Sequence, residues 1–235
     1  MSPRGFFITG TDTDVGKTRV AAGLMTALCA RGLRVVGMKP VSCGGIETEA
    51  GILNEDVLIL QQHGSDPSLP RTLMNRYAFS QPVAPHLAAA MQHDTIDIGV
   101  IVDDLHRLEG LADVIVLEGA GGWEVPISDS ETMADIARAC ELPVILVVGI
   151  RLGCLNHALL SSRAIADTGL PFAGWIANLI DLDARAVDEN IATLQKRIPA
   201  PLLGIIPHLP GDLDAARIAA ALDIDTLVSR GLFTE

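Results

Sequence analysis

Short apolar runs alternate with longer segments of helical period along the chain. Six runs rich in Val and Ile, bounded by Gly or Pro, are typical of buried parallel strands; they cover residues 6–8, 34–38, 114–117, 144–148, 172–176 and 202–206. Between and after them, apolar residues recur at helical spacing over residues 17–30, 52–62, 98–108, 132–139, 155–168 and 184–197. The alternation predicts an α/β fold with a doubly wound, mostly parallel sheet and helices on both faces.

Residues 64–85 interrupt this alternation. The stretch contains several prolines and glycines and has little periodicity, which predicts a long excursion over one end of the sheet, of the kind that covers a substrate. The rest of the chain contains no repeat, low-complexity tract or linker. Residues 1–235 are therefore predicted to form one domain.

The segment between the first apolar run and the first helical segment has the sequence GTDTDVGKT at residues 10–18. A glycine-rich loop between a strand and a helix is the setting of a phosphate-binding P-loop, whose backbone N–H groups and helix dipole hold a polyphosphate. Lys17 would contact the β- and γ-phosphates, and the Thr18 hydroxyl would bind Mg²⁺. The usual spacing has glycine at position 11, whereas here Thr11 stands there and the glycine is Gly10. We therefore expect a P-loop NTPase-type fold.

Polar residues follow two further predicted strands, at the edge where doubly wound sheets bind ligands. Lys39 would place a second cation near the γ-phosphate. Glu118 ends a hydrophobic strand, where a carboxylate can hold Mg²⁺, and Asp56 could add a second carboxylate. For Lys39 and Asp56, a side chain that simply extends into water is an equally good interpretation of the spacing alone.

Composition excludes several classes of function. The formal net charge of −12 provides no basic face for nucleic acid or an anionic membrane. No apolar run approaches the ~20 residues that span a bilayer, and the first residues do not resemble a signal peptide, so we expect a cytoplasmic protein. The four cysteines show no metal-binding spacing, and Cys29 and Cys140 are predicted to be core residues.

Seven ordered segments extend the P-loop into a longer pattern: residues 9–18 (TGTDTDVGKT), 38–41 (MKPV), 118–123 (EGAGGW), 143–149 (PVILVVG), 152–158 (LGCLNHA), 173–178 (AGWIAN) and 201–207 (PLLGIIP). Together they resemble the dethiobiotin synthetase family, and the resemblance extends over nearly the whole chain. The resemblance implies a homodimer that uses ATP and Mg²⁺ to insert CO₂ between the two amino groups of 7,8-diaminononanoate. In that reaction a substrate carbamate is phosphorylated, and ring closure gives the ureido ring of dethiobiotin.

The resemblance also implies roles for individual residues. Lys17 and Lys39 would be catalytic, and Mg²⁺ would be bound by Thr18, Asp56 and Glu118. The residues that would bind ATP are Asp14, Val15, Gly16, Lys17, Thr18, Arg19, Glu118, Gly119, Ala120, Gly121, Asn178 and Pro207. The residues that would bind the diamine substrate are Thr13, Lys39, Ser42, Cys43, Gly153, Cys154, Leu155 and Asn156, the last four receiving its carboxylate across the dimer interface.

Position 43 departs from the family pattern, which has a serine there. A thiol is a far weaker hydrogen-bond donor than a hydroxyl. Either Ser42 compensates for Cys43, or the contact with the substrate is weaker in this chain.

Two alternatives share the P-loop. A switch ATPase of the cell-division and plasmid-partition kind would act by partner binding, but those proteins carry a lysine early in the loop where this chain has Asp12. An amide-forming synthetase of cobalamin synthesis would need a large glutaminase domain, for which we expect no room in this chain.

Overall fold

The computed structural model describes residues 5–209 and 211–229. In chain order its strands are β1 (Gly5–Gly10), β2 (Val35–Met38), β3 (Val41–Ser42), β4 (Ile46–Thr48), β5 (Gly51–Leu53), β6 (Tyr77–Ala78), β7 (Val114–Glu118), β8 (Val144–Ile150), β9 (Phe172–Leu179) and β10 (Leu202–Ile206). The helices are α1 (Lys17–Cys29), α2 (Glu55–His63), α3 (Arg71–Met74), α4 (Pro85–Met91), α5 (Ile98–Glu109), α6 (Met133–Cys140), α7 (Cys154–Asp167), α8 (Val187–Arg197), α9 (Ala215–Ala220) and α10 (Ile224–Ser229).

The central sheet contains six strands in the order β10-β9-β8-β1-β7-β2, and every pairing within it is parallel. These are the six strands that the apolar runs predict, so the prediction of a parallel sheet is confirmed. Four of them are fully buried along their length, β1, β2, β7 and β8. Burial on both faces explains why their sequences are continuous apolar runs rather than alternating ones.

Helices cover both faces of the sheet. Phe7 of β1 packs in one core with α5, α6, α7 and α8, whereas Phe6 and Ile8 pack in a second core with α1, α9 and α10. Successive side chains of a strand point to opposite faces, so one strand contributes to both cores. The prediction of a doubly wound α/β fold is confirmed. None of the described helices is long and apolar enough to cross a bilayer.

Two helices start three residues later than predicted. The helix predicted from residue 52 begins at Glu55, because residues 51–53 pair with β4 in an antiparallel hairpin. Asn54 then caps the helix, with its side-chain oxygen accepting from the N–H of Asp56 at 3.1 Å. The helix predicted from residue 184 begins at Val187, after Ala186 in a left-handed conformation (φ 53°).

The prediction that Cys140 lies in the core is confirmed, whereas Cys29 is only partly buried and packs against the edge of the core. Cys29 stands at the end of α1, directly after the buried Leu28, and its Sγ lies 3.4 Å from Ser65 Oγ. All four cysteines are free thiols.

The excursion at residues 64–85 contains structure of its own. Within it, α3 is followed by β6, which pairs in parallel with β3 immediately beyond the end of β2. Its last residues lie against the carboxyl edge of the sheet, as described below. Elements of two to four residues have too few positions to show a period, so the sequence pattern does not reveal them.

Candidate active site

The P-loop connects β1 to α1 through two left-handed residues, Asp14 (φ 59°) and Gly16 (φ 90°). Aspartate is one of the few residues other than glycine that tolerate this conformation. A Cβ atom at Gly10 would lie 2.7 Å from Val15 Cγ2, so glycine is required there by the close approach of the loop. Thr11 still donates its N–H to Val147 O of β8 at 3.0 Å. The displaced glycine thus lies where the loop folds back over its own strand.

Two lysines and two carboxylates converge beyond the strand ends. Lys39 Nζ donates to Asp56 Oδ2 at 2.5 Å and to Glu118 Oε1 at 2.7 Å. Thr18 Oγ1 also donates to Glu118 Oε1, at 2.8 Å. Lys17 Nζ donates to the carbonyl oxygen of Asp12 at 2.9 Å. Both lysines are buried, and Glu118 has no exposed surface. Lys39 and Asp56 are therefore ion-paired members of one cluster, in which Lys39 is buried and Asp56 is partly exposed.

Burial and pairing act on these charges in opposite directions. Burial lowers the pKa of Lys17, although Glu118 partly counters it. Burial also acts to lower the pKa of Lys39, but Glu118 and Asp56 outweigh it and the pKa lies above its ordinary value. Burial acts to raise the pKa of Asp56, and Lys39 outweighs it so that the pKa is lowered. Lys39 and Asp56 thus hold each other in the charged state.

A cavity of about 720 Å³ opens onto this cluster, a size typical of small-molecule sites. It brings together the P-loop, the ends of β2 and β7, the start of α2 and the last residues of the excursion. Its lining residues are Thr13, Asp14, Gly16, Lys17, Thr18, Arg19, Lys39, Cys43, Glu55, Asp56, Ile59, Pro82, Val83, Ala84, Pro85, Glu118, Ala120, Gly121 and Val125.

A smaller cavity of about 160 Å³ shares Asp14, Gly16 and Arg19 with the first, and Asn178 and Pro207 are also in its lining. Asn178 Nδ2 donates to Val15 O at 2.8 Å. The Arg19 guanidinium donates to the carbonyl oxygens of residues 209, 211 and 212 at 3.1 to 3.4 Å. The segment after β10 is therefore tied to the start of α1, and Asn178 ties the end of β9 to the P-loop.

Several residues of the predicted site lie elsewhere. Ser42 is fully buried and its hydroxyl donates to Asn75 Oδ1 at 3.1 Å, so Cys43 alone of the pair lines the cavity. Val15 and Gly119 support the site from beneath; a Cβ atom at Gly119 would lie 3.0 Å from the Phe7 ring. The four residues 153–156, at the start of α7, line neither cavity of this chain.

The sequence analysis did not identify some lining residues. Pro82, Val83, Ala84 and Pro85 form part of the wall; the only signal for them is that residues 64–85 were expected to cover a substrate. Val125 lies beyond the glycine run that follows Glu118, and no motif in the sequence indicates that it lines the cavity.

The oxygen atoms of Thr18, Asp56 and Glu118 fit Mg²⁺. Glu118 Oε2 is buried and has no hydrogen-bond partner among the residues that the structure describes, which is costly unless a cation or donor satisfies it. Hydroxyl and carboxylate oxygens are the hard ligands that Mg²⁺ binds, usually one or two from protein, the remainder being water and phosphate. Consistent with so few protein ligands, the described residues contain no cluster of three or more His, Cys, Asp or Glu side chains suited to a metal.

Comparisons with known proteins agree with this geometry. A family model described as an AAA domain matches residues 4–217. MinD in the MinC:MinD cell-division complex of Aquifex aeolicus superposes with a TM-score of 0.59 at 17% identity, covering 95% of this chain and 93% of the other. MinD of Pyrococcus horikoshii, solved with Mg-ADP, gives 0.56 at 18% identity, covering 95% and 88%. At these identities the likeness shows a P-loop NTPase fold and nothing finer.

Sequence relatives are much closer. The ATP-dependent dethiobiotin synthetase BioD of Cellvibrio japonicus is 46% identical over 229 residues, which make up 97% of this chain and 99% of that protein. The enzyme of the same name from Aromatoleum aromaticum is 48% identical over 221 residues, or 94% of this chain and 97% of that protein. Because this similarity extends over almost the full length of both proteins, the chain belongs to the family of ATP-dependent dethiobiotin synthetases.

Proposed function

We propose that this protein is an ATP- and Mg²⁺-dependent carbon–nitrogen ligase that inserts CO₂ between the two amino groups of 7,8-diaminononanoate to form the ureido ring of dethiobiotin. One observation carries the proposal. Lys17 of the P-loop and Lys39, paired with Asp56 and Glu118, line a single cavity. Two fixed cations at one cavity match a reaction that joins two anions.

The chemistry explains the need for both lysines. A substrate carbamate and the triphosphate of ATP repel each other, and fixed positive charge lowers the cost of bringing them together. The γ-phosphoryl group passes to a carbamate oxygen, and ADP leaves. The second amine then attacks the carbamate carbon, closes the ring and expels phosphate. Bound Mg²⁺ would neutralise charge on the phosphates.

The substrate contacts divide between two places. Thr13 and Cys43 line the cavity beside the lysines, where they can contact the nitrogen and carbamate end. Residues 153–156 line neither cavity of the same chain. We therefore propose that these residues serve the carboxylate end of a substrate bound to a second copy in a homodimer. The homodimer is a prediction from the family resemblance, and the cytoplasmic location is a prediction from the sequence.

The switch ATPase alternative has less support. Asp12, at the position of that class's extra lysine, is paired through Oδ2 with Arg151 Nη2 at 2.5 Å. A charge of the opposite sign, already paired with an arginine, cannot serve the role of that lysine. The fold similarity to MinD is compatible with both a ligase and a switch ATPase, so it does not discriminate between the two functions.

The test measures phosphate release by the purified protein with ATP, Mg²⁺ and bicarbonate, with and without the diamine, while labelled CO₂ is followed into an acid-stable product. We expect diamine-dependent incorporation that is lost in Lys17→Ala and Lys39→Ala. Lys196→Ala, which alters an exposed lysine of α8, is the matched control and should behave as wild type. Phosphate release indifferent to the diamine, with no stable label, would favour a switch ATPase.

A further inference from the structure

The segment that carries Lys39 leaves the central sheet and depends on a second support. β2 ends at Met38, and beyond it the backbone of residues 39–42 is bonded to residues 74–79. Lys39 donates its N–H to Met74 O at 2.7 Å, Tyr77 donates to Pro40 O at 2.8 Å, and Phe79 donates to Ser42 O at 2.9 Å. The excursion therefore determines the backbone position of the residue whose ammonium group reaches Glu118 and Asp56.

Within residues 74–79, Asn75 bonds through its side chain to the segment that carries Lys39. Its Nδ2 donates to Lys39 O at 2.7 Å, and its Oδ1 accepts from the Ser42 hydroxyl at 3.1 Å. Nδ2 also lies 3.4 Å from Tyr77 O. A primary amide offers donors and an acceptor on one short side chain. The Asn75 side chain can therefore bond to Lys39, Ser42 and Tyr77 at the same time. The N–H of Lys39 is bonded to Met74 and its C=O to Asn75, which is the next residue in the chain.

The residue after Asn75 anchors the support to the body of the protein. Arg76 binds Asp104 of α5 in a two-pronged pair, with Nε to Oδ2 at 2.6 Å and Nη2 to Oδ1 at 2.6 Å. Asp104 has no exposed surface, and Arg107 Nη1 approaches it at 3.3 Å. Bidentate pairs of this kind fix geometry as well as contributing energy. Asn75 is thus fixed between a partly buried ion pair and the backbone of Lys39.

We propose that Asn75 is a positioning residue for Lys39, held in place by the Arg76–Asp104 pair. The proposal rests on the proposed function, because it assigns Asn75 a part in the same site. Displacements of about 1 Å at a reacting centre can cost about a hundredfold in rate. A small shift of the Lys39 backbone would move its ammonium group relative to Glu118 and Asp56, and with it the charge that stabilises phosphoryl transfer.

The test is a double-mutant cycle in kcat between Asn75→Asp and Lys39→Ala. Asn75→Asp keeps the side-chain shape but replaces the donor to Lys39 O by an acceptor. We expect kcat for diamine-dependent phosphate release to fall by about tenfold or more. KM for ATP should change by less than about threefold, since Asn75 does not contact the P-loop. In the Lys39→Ala background, followed in single turnovers at high enzyme concentration, the same substitution should change the rate by less than about twofold.

Two further variants keep the proposal testable if Asn75→Asp folds poorly. Arg76→Lys retains the charge but loses the two-pronged pair, and its loss of kcat should likewise vanish in the Lys39→Ala background. Ser42→Ala removes a partner of Asn75 without touching its bond to Lys39, and should keep kcat within about threefold. Asn190→Asp is the control for the change of charge: Asn190 lies on α8, and the one hydrogen bond described for its side chain goes to Arg185 O at 3.4 Å.

If Asn75→Asp lowers the rate by the same factor in the wild-type and the Lys39→Ala backgrounds, the proposal is overturned. Asn75 would then act on the structure in general rather than through Lys39. Thermal unfolding of each variant shows separately whether stability changes. The same double-mutant cycle is then measured for the rate of ATP hydrolysis in the absence of the diamine. A wild-type protein that ignores the diamine would contradict the proposed function, yet the cycle on hydrolysis would still show whether Asn75 acts through Lys39.

Discussion

At the scale of single residues, the site depends on a carboxylate that would be unstable without its neighbours. Glu118 has no exposed surface, accepts on Oε1 from Thr18 and Lys39, and has no hydrogen-bond partner on Oε2 within the described part of the chain. An isolated buried charge is very costly, and removing one partner of a buried pair leaves the other uncompensated. Glu118 and Lys39 are therefore interdependent.

We expect Glu118→Gln to lower diamine-dependent phosphate release by about a hundredfold. The amide keeps the volume but removes the charge that pairs with Lys39 and that would help to bind Mg²⁺. The Mg²⁺ concentration for half-maximal rate should rise as well. Titration of the rate with Mg²⁺ measures both effects, and Glu124→Gln, an exposed residue, is the control. A rate within about threefold of wild type would contradict a role for Glu118.

We expect Cys43→Ser to keep turnover within about tenfold of wild type. Burial raises the pKa of the Cys43 thiol despite the nearby Lys39, so the thiol is protonated at neutral pH and donates only weakly. The serine restores the donor at the cavity wall, where Ser42 cannot act because its hydroxyl is bound to Asn75. Steady-state kcat and KM for the diamine measure the effect, and a change larger than tenfold would show that the thiol alters substrate handling.

At the scale of elements, the starts of two helices supply much of the site. α1 begins with Lys17 and Thr18, and Asp56 lies in the first turn of α2. Asn54 caps α2 and donates from Nδ2 to Cys43 O at 3.2 Å. A single side chain thus connects the start of the helix that carries Asp56 to the strand end that carries Cys43.

We expect Asn54→Ala to lower the free energy of unfolding by about 1 kcal/mol through loss of the cap. It should also raise the Mg²⁺ requirement by about threefold or more, because Asp56 is less well fixed. Asp97→Ala removes the equivalent cap of α5, a bond to Gly99 N of 2.7 Å, from a helix that does not line the cavity. Equal shifts in Mg²⁺ requirement for the two variants would show that the effect is one of general stability.

At the scale of the whole molecule, the four residues predicted to receive the substrate carboxylate lie apart from both cavities. Residues 153–156 line neither cavity, and Leu152 before them is 99% exposed. The Asp12–Arg151 pair joins the P-loop to the segment that leads into them. In the proposed homodimer, residues 153–156 would contact the substrate bound to a second copy.

We expect Lys39→Ala and Asn156→Ala to complement each other when subunits are exchanged at low diamine concentration. If a second copy supplies Asn156, random mixing makes half of the dimers mixed, and each mixed dimer has one intact site of two. Activity should then return to about a quarter of wild type. No recovery, with subunit exchange verified by mass spectrometry, would place both residues in the site of one chain.

The sequence by itself determined the six central strands, the helices on both faces and the P-loop. These follow from local periodicity and from loop chemistry, which neighbouring residues encode. It also placed Lys39 and Glu118 at one edge of the sheet, because the carboxyl ends of parallel strands share an edge, but left open whether Lys39 and Asp56 point into the site or into water.

Only the tertiary structure decided which side chains meet at that edge. The sequence could not show that Cys43 rather than Ser42 faces the cavity, because the phase of a two-residue strand depends on its partner, β6. Nor could it identify Asn75 or the Arg76–Asp104 pair, whose partners lie 28 or more residues away in the chain. Contacts between distant segments have no local period, and packing alone fixes them.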